Sequence, residues 1–85
     1  MNVVVCRAAL KSVAKLPKRI QIQLEIFVGL LGIDWDNGKL HTKKLQGNNG
    51  LYSFRITRDY RGIFEFTTPT TITVLKIGHR KDIYE

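Results

Sequence analysis

Arg55, Arg61, Lys76, His79, Arg80 and Tyr84 are the side chains of this 85-residue sequence whose types suit chemistry on a bound phosphodiester. An arginine grips two phosphate oxygens with its planar fork and keeps its charge. A histidine exchanges protons near neutrality, and a phenol can orient a hydroxyl or share in its proton transfer. The set has no paired carboxylates, which separates it from glycoside and peptide hydrolysis. RNA brings its own nucleophile, the 2′-hydroxyl, so breaking its backbone asks only for a base, an acid for the leaving 5′-oxygen and cations around the phosphorane. No phosphate-binding loop, GxGxxG turn, HExxH helix or pair of Cys/His clusters at zinc spacing is present, so neither a metal nor a nucleotide cofactor is expected.

Charge points to a polyanionic partner. Fourteen Lys and Arg against seven Asp and Glu give a net charge of +7. Lys39, Lys43, Lys44, Arg55, Arg58 and Arg61 fall in one stretch of 23 residues opposed only by Asp59, the pattern of a basic patch. Lys39, Lys43, Lys44, Arg58, Lys76 and Lys81 read as residues that steer and hold a nucleic-acid backbone. An acidic protein is the second choice of partner, and charge kept for solubility alone is the plain alternative. Plainer roles also exist for the chemical set: a solvated histidine at 79, a packing tyrosine at 84, and Arg55 and Arg61 paired with Glu65. Trp35 and His41 read as packed or solvated loop residues, either able to stack on a base.

The elements that must position these side chains follow from hydrophobic patterning. With 44% hydrophobic and 25% charged residues the chain has an ordinary globular mix, and residues 1–85 suffice for one domain with one core. The longest apolar run, 26–33, is far short of a bilayer span, so no membrane role is expected. No secretory leader is recognised, and a cytoplasmic location is expected. The lone Cys6 lies in an apolar run and reads as a buried, inert thiol.

Residues 2–6 form a strand with both faces covered, 8–16 a short amphipathic helix, and 18–31 a second helix that opens at Pro17 and stops at Gly32. Ile20, Leu24, Phe27 and Leu31 share one stripe, which Ile22, Ile26 and Leu30 widen. A polar connection over 34–50 carries the turn signals Asn37-Gly38 and Gly47-Asn48-Asn49-Gly50. Strands follow at 51–57, 60–66 and 72–78, the last with Leu75 and Ile77 in the core and Lys76 on the opposite face.

Two registers compete for the first hairpin. A two-residue turn would put Arg61 on the face of Phe54 and Ile56, with its charge uncompensated in the core. A three-residue turn over 57–59 separates apolar from polar and sets Arg55 directly opposite Arg61, with β-carbons about 5 Å apart, where the two charges repel unless an anion lies between them. The predicted fold is α+β, in the order β-α-α-β-β-β, with an N-terminal helical hairpin packed on a small, mainly antiparallel sheet whose other face is exposed and basic.

Four strings in this order and spacing, Lys44-Leu45-Gln46-Gly47, Leu51-Tyr52-Ser53-Phe54-Arg55, Asp59-Tyr60-Arg61-Gly62-Ile63-Phe64 and Ile77-Gly78-His79-Arg80-Lys81-Asp82-Ile83-Tyr84, resemble the RelE family of toxin–antitoxin toxins. The likeness spans nearly the whole chain. It implies a ribosome-dependent mRNA endonuclease that cuts in the ribosomal A site without metal and leaves a 2′,3′-cyclic phosphate. It also implies a cognate antitoxin, through which alone the toxin would reach operator DNA, and the +7 charge with the broad apolar helix surface predicts that this partner is acidic and amphipathic. By position, Arg61 and Arg80 match the family's phosphate-contacting arginines, Tyr84 its tail tyrosine, and Arg55 a basic position on the first hairpin strand. Ser53 departs from the lysine of some members, with His79 as a substitute proton acceptor. Gly62 replaces a larger aliphatic residue and is expected to thin the core beneath Arg61. ParE-like toxins, which act on DNA gyrase, share the outline and give the alternative reading. A catalytically silent antitoxin-binding module gives a third.

Overall fold

The computed structural model describes residues 1–47 and 50–84. The elements run β1 (Asn2–Val5), α1 (Arg7–Val13), α2 (Lys18–Asp34), a 3-10 turn (Gly38–Leu40), β2 (Lys43–Lys44), β3 (Leu51–Arg55), β4 (Tyr60–Thr68) and β5 (Thr71–His79). The strands make one mixed sheet in the order β1-β5-β4-β3-β2, with β1 parallel to β5 and the other neighbours antiparallel. This is the expected α+β fold with one addition, the two-residue edge strand β2, which pairs Lys43 with Ser53 and Lys44 with Tyr52. Among the described residues no helix is long and apolar enough to cross a membrane. Of the turn signal at 47–50, Asn48 and Asn49 lie outside the described residues.

Alternation along the strands sends one set of side chains inward. Phe54, Ile56, Phe64, Ile72, Val74 and Ile77 pack beneath Ala9 of α1 and Ile20, Leu24 and Leu31 of α2, all buried. Trp35 closes the end of α2 onto the sheet, edge-on to Tyr52 at 5.6 Å and to Phe66 at 5.0 Å between ring centroids. Cys6 is half-buried and its thiol donates to the Leu75 carbonyl at 3.3 Å.

Five local expectations need correction. First, α1 ends at Val13, because the N–H groups of Lys15 and Leu16 turn back to Ser12 and Val13. Pro17 then stands just before α2 with extended backbone and offers its carbonyl to Ile20 and Gln21.

Second, α2 runs through Gly32 to Asp34. The glycine is there for close approach rather than termination: the Met1 ammonium donates to its carbonyl at 3.1 Å, and a β-carbon would meet the Met1 carbonyl oxygen at 3.1 Å. Third, β1 is an edge strand with Val4 half-exposed.

Fourth, Ile63 faces Lys76 while Phe64 faces Val74, so Leu75 is the extra residue of a bulge and lies on the outer face with Ile63 and Lys76. Fifth, Gly62 does not thin the core. Its cross-strand partner Phe54 lays its ring over the glycine and fills the place a side chain would take.

Candidate active site

The β3–β4 hairpin has the register with Arg55 opposite Arg61 and Phe54 opposite Gly62. The Ile56 N–H donates to the Tyr60 carbonyl at 2.9 Å and closes the turn over 57–59. Because side chains alternate, a register that buries Phe54 and Phe64 must send Ser53, Arg55 and Arg61 to the other face. Lys43 joins them through its pairing with Ser53 on β2. Behind β5 the chain turns back, with the N–H groups of Asp82 and Ile83 both donating to the His79 carbonyl. The buried Ile83 pins this turn and brings Tyr84 over the sheet.

The result is a cavity of about 370 Å³ lined by His41, Lys43, Ser53, Arg55, Arg61 and Tyr84. Three cations, a hydroxyl, a phenol and an imidazole surround it, and among the described residues no carboxylate lines it. The Nε of Arg55 is buried and is the one buried side-chain polar atom of the described residues with no hydrogen-bond partner. Such an atom costs about 1–3 kcal/mol when neutral and more when charged. Together with a second guanidinium across the strand pair, it makes a site whose electrostatics favour an anion.

The outer face is less open than its polar sequence suggests. Ser53 and Ile63 are buried, and a second cavity of about 340 Å³ lies beside the first, with Leu45, Leu51, Ile63, Lys76 and Ile83 among its walls. Tyr84 borders both cavities, one basic and one with a mixed polar and apolar lining that includes Gln46. Among the described residues no group of three or more His, Cys, Asp or Glu side chains could hold a metal ion.

Of the six side chains whose types suit the chemistry, the fold gathers Arg55, Arg61 and Tyr84 in this cavity and puts Lys76 in its neighbour. Arg80 stands outside the cavity, held to the hairpin tip: its N–H donates to the Asp59 carbonyl at 2.7 Å, and its Nε lies 3.6 Å from Asp59 Oδ1. His79 departs from the expected cluster. It pairs with Tyr60 in the sheet, so it shares the inward parity, and its ring meets Tyr60 edge-on at 5.4 Å. Its Nδ1 accepts the Lys81 N–H at 3.1 Å.

Among the basic residues read as backbone contacts, Lys43 lines the cavity and Lys76 lines its neighbour. Lys39, Lys44, Arg58 and Lys81 are exposed around the periphery, with Lys44 on the Tyr52 parity, away from the arginines. His41 and Ser53 are the lining residues that belong neither to the chemical set nor to the basic backbone contacts. The signal for both was β2, since pairing Lys43 with Ser53 brings the residues just before Lys43 to the same rim, but two residues give no period to detect.

The same fold recurs in toxins solved with and without their antitoxins. The RelE chain of the RelE–RelB complex from Pyrococcus horikoshii OT3 is 26% identical, with 95% of this chain and 96% of that chain covered and a TM-score of 0.76. The toxin–antitoxin complex RelBE2 from Mycobacterium tuberculosis matches at 26% identity, 93% and 96% coverage and a TM-score of 0.73. The isolated RelE toxin of E. coli, at 20% identity, 92% and 82% coverage and a TM-score of 0.74, shows the shared fold. No curated protein matches the chain in sequence. A family model described as the ParE toxin of type II toxin–antitoxin systems matches residues 3–84. With that match spanning almost every residue, the chain belongs to the ParE toxin family of type II toxin–antitoxin systems, within the superfamily that also holds the RelE toxins.

Proposed function

We propose that this toxin arrests translation by cutting mRNA on the ribosome, as a metal-independent endoribonuclease. The observation that carries the reading is the Arg55–Arg61 pair, two arginines paired across the hairpin and lining one cavity, with the buried Nε of Arg55 unsatisfied. Folding such a pair together opposes stability, and a phosphodiester between them turns that repulsion into binding that strengthens as charge grows on the phosphorane. Lys43 supplies a third cation from β2, across from the serine where some relatives of the RelE type carry lysine. The 2′-hydroxyl is the nucleophile, so the reaction needs no metal-bound water. Tyr84 stands between the basic cavity and its neighbour, where one phenol can face the scissile linkage while the ring supports a base.

Tyr84→Phe keeps the ring and removes the hydroxyl. If the hydroxyl takes part in proton transfer, single-turnover cleavage falls by about 100-fold with mRNA binding preserved; an unchanged rate would leave Tyr84 a stacking role only.

The family match itself favours a second reading, inhibition of DNA gyrase in the manner of ParE-like toxins. Primer extension on a translated message after induction tests the first reading: cuts confined to A-site codons support it. Their absence, together with loss of gyrase supercoiling activity, would support the second.

A cognate antitoxin is the controlling partner in either case, as it is in the RelE–RelB and YoeB–YefM complexes. The +7 charge of this chain and the exposed Ile22, Ile26 and Ile33 of α2 suit an acidic, amphipathic segment. Its dissociation constant should rise steadily with ionic strength in a titration from low to high salt; a flat response would remove the electrostatic part.

A further inference from the structure

We infer that His41 is the group that takes the proton from the attacking 2′-hydroxyl, an inference that deepens the nuclease reading above and rests on it. The chain has two histidines, and only His41 lines the cavity that holds Arg55 and Arg61. His79 has inward parity, against Tyr60, with Nδ1 occupied by the Lys81 N–H. Around the cavity, β2 contributes Lys43, β3 Ser53 and Arg55, β4 Arg61, and the C-terminal turn Tyr84. Three of these are cations with no lone pair to accept a proton, and the phenol serves below as the proton donor. Among the described residues no carboxylate lines the cavity, which leaves the imidazole as their proton acceptor suited to neutral conditions.

The side chain of His41 is exposed at the cavity rim, and its backbone is constrained. His41 is the only non-glycine residue with positive φ among the described residues, at φ 48° and ψ 46°, a left-handed conformation that carries a steric cost for L-residues. It is reached because the 3-10 turn ends there: Leu40 is fully buried, the His41 N–H donates to the Gly38 carbonyl at 3.3 Å, and β2 begins two residues later. The buried anchor and the strand hold the reversal from both sides.

In the step so assigned, the 2′-oxygen forms a bond to phosphorus and its proton moves to an imidazole nitrogen of His41. The P–O5′ bond breaks, its electron pair stays on the 5′-oxygen, and that oxygen takes a proton from the Tyr84 hydroxyl. The products are a 2′,3′-cyclic phosphate and a free 5′-hydroxyl. Proton exchange with water returns the imidazolium and the phenolate to their starting forms.

The test is single-turnover cleavage of an mRNA bound to ribosomes, across pH, by the full chain and its variants. His41→Asn keeps a residue that tolerates left-handed backbone and removes the titrating group. Its rate should fall by about 100-fold or more, with loss of the acidic limb of the pH–rate profile. His41→Ala should be slowed likewise and regain activity when free imidazole is added.

A His41→Asn rate within about threefold of the parent, with the same pH profile and with Arg61→Ala inactive, would overturn the role of His41 and leave the nuclease reading standing. A slow His41→Ala that imidazole does not rescue, with an unchanged pH profile, would likewise overturn it and mark His41 as structural. Absence of cutting by the parent chain would remove the nuclease reading and this inference with it.

Discussion

Arg61→Ala should abolish growth arrest and reduce mRNA cleavage by about 10²–10³-fold, the scale on which a preorganised group stabilising transition-state charge acts. The fold should survive the change. Arg61 lies on the outer face of β4 and, among the described residues, makes no ion pair. Its neighbour across the strand pair is another guanidinium, so its removal relieves repulsion, and the melting temperature should hold or rise slightly. That sign separates a catalytic loss from an unfolded variant, because a residue kept for stability would lower the melting temperature together with activity. Arg61→Lys retains the charge without the planar fork and should fall between parent and alanine. Growth on induction, primer extension and a circular-dichroism melt read all three. Full toxicity of Arg61→Ala would break the assignment of this cavity.

The register that makes this prediction was legible before any coordinates, and the reason is physical. A one-residue slip would have moved Arg61 onto the face of Phe54 and Ile56, and the cost of an uncompensated core charge fixed the pairing. The helical hairpin and the inward stripe of Ile20, Leu24 and Leu31 followed from period alone.

What periodicity could not show were features that depend on contacts distant in sequence. Gly32 looks like a helix stop until Met1 is seen to cross it. Leu75 looks inward until the bulge opposite Ile63 and Phe64 shifts its parity. His79 takes the inward parity through its pairing with Tyr60, and Arg80 just beyond the strand is held to Asp59, so neither neighbour lines the cavity. His41 becomes part of the site through a left-handed residue and a two-residue strand, neither of which leaves a pattern. The cavity was thus half legible: its arginines and its tail tyrosine from register and resemblance, its imidazole and its buried serine only from the fold.

Gly62→Ala should be the most destabilising single-methyl change on this sheet. A β-carbon at Gly62 would run into three atoms of the Phe54 ring, and that ring is fully buried against the core, with no solvent to swing into. Its surroundings resist as well, since Phe54 also packs against Phe64 at 5.9 Å between centroids. Overpacking of this kind costs about 1–3 kcal/mol and occasionally more. In a domain of this size each kcal/mol moves the melting temperature by roughly 4–8 °C, so a fall on the order of 10 °C is expected.

The double variant Gly62→Ala with Phe54→Leu should recover part of that loss, giving a coupling that a simple sum of the two single changes does not predict. Activity is tied to the same contact, because the residue before Gly62 is Arg61 and the residue after Phe54 is Arg55. Any movement that parts β3 from β4 to admit a methyl group also parts the two guanidinium groups. Gly62→Ala should therefore lose cleavage beyond what its remaining folded fraction accounts for. A variant as stable as the parent would mean that the Phe54 ring does not cover the glycine, and the close β3–β4 packing that sets the arginine spacing would have to be abandoned with it.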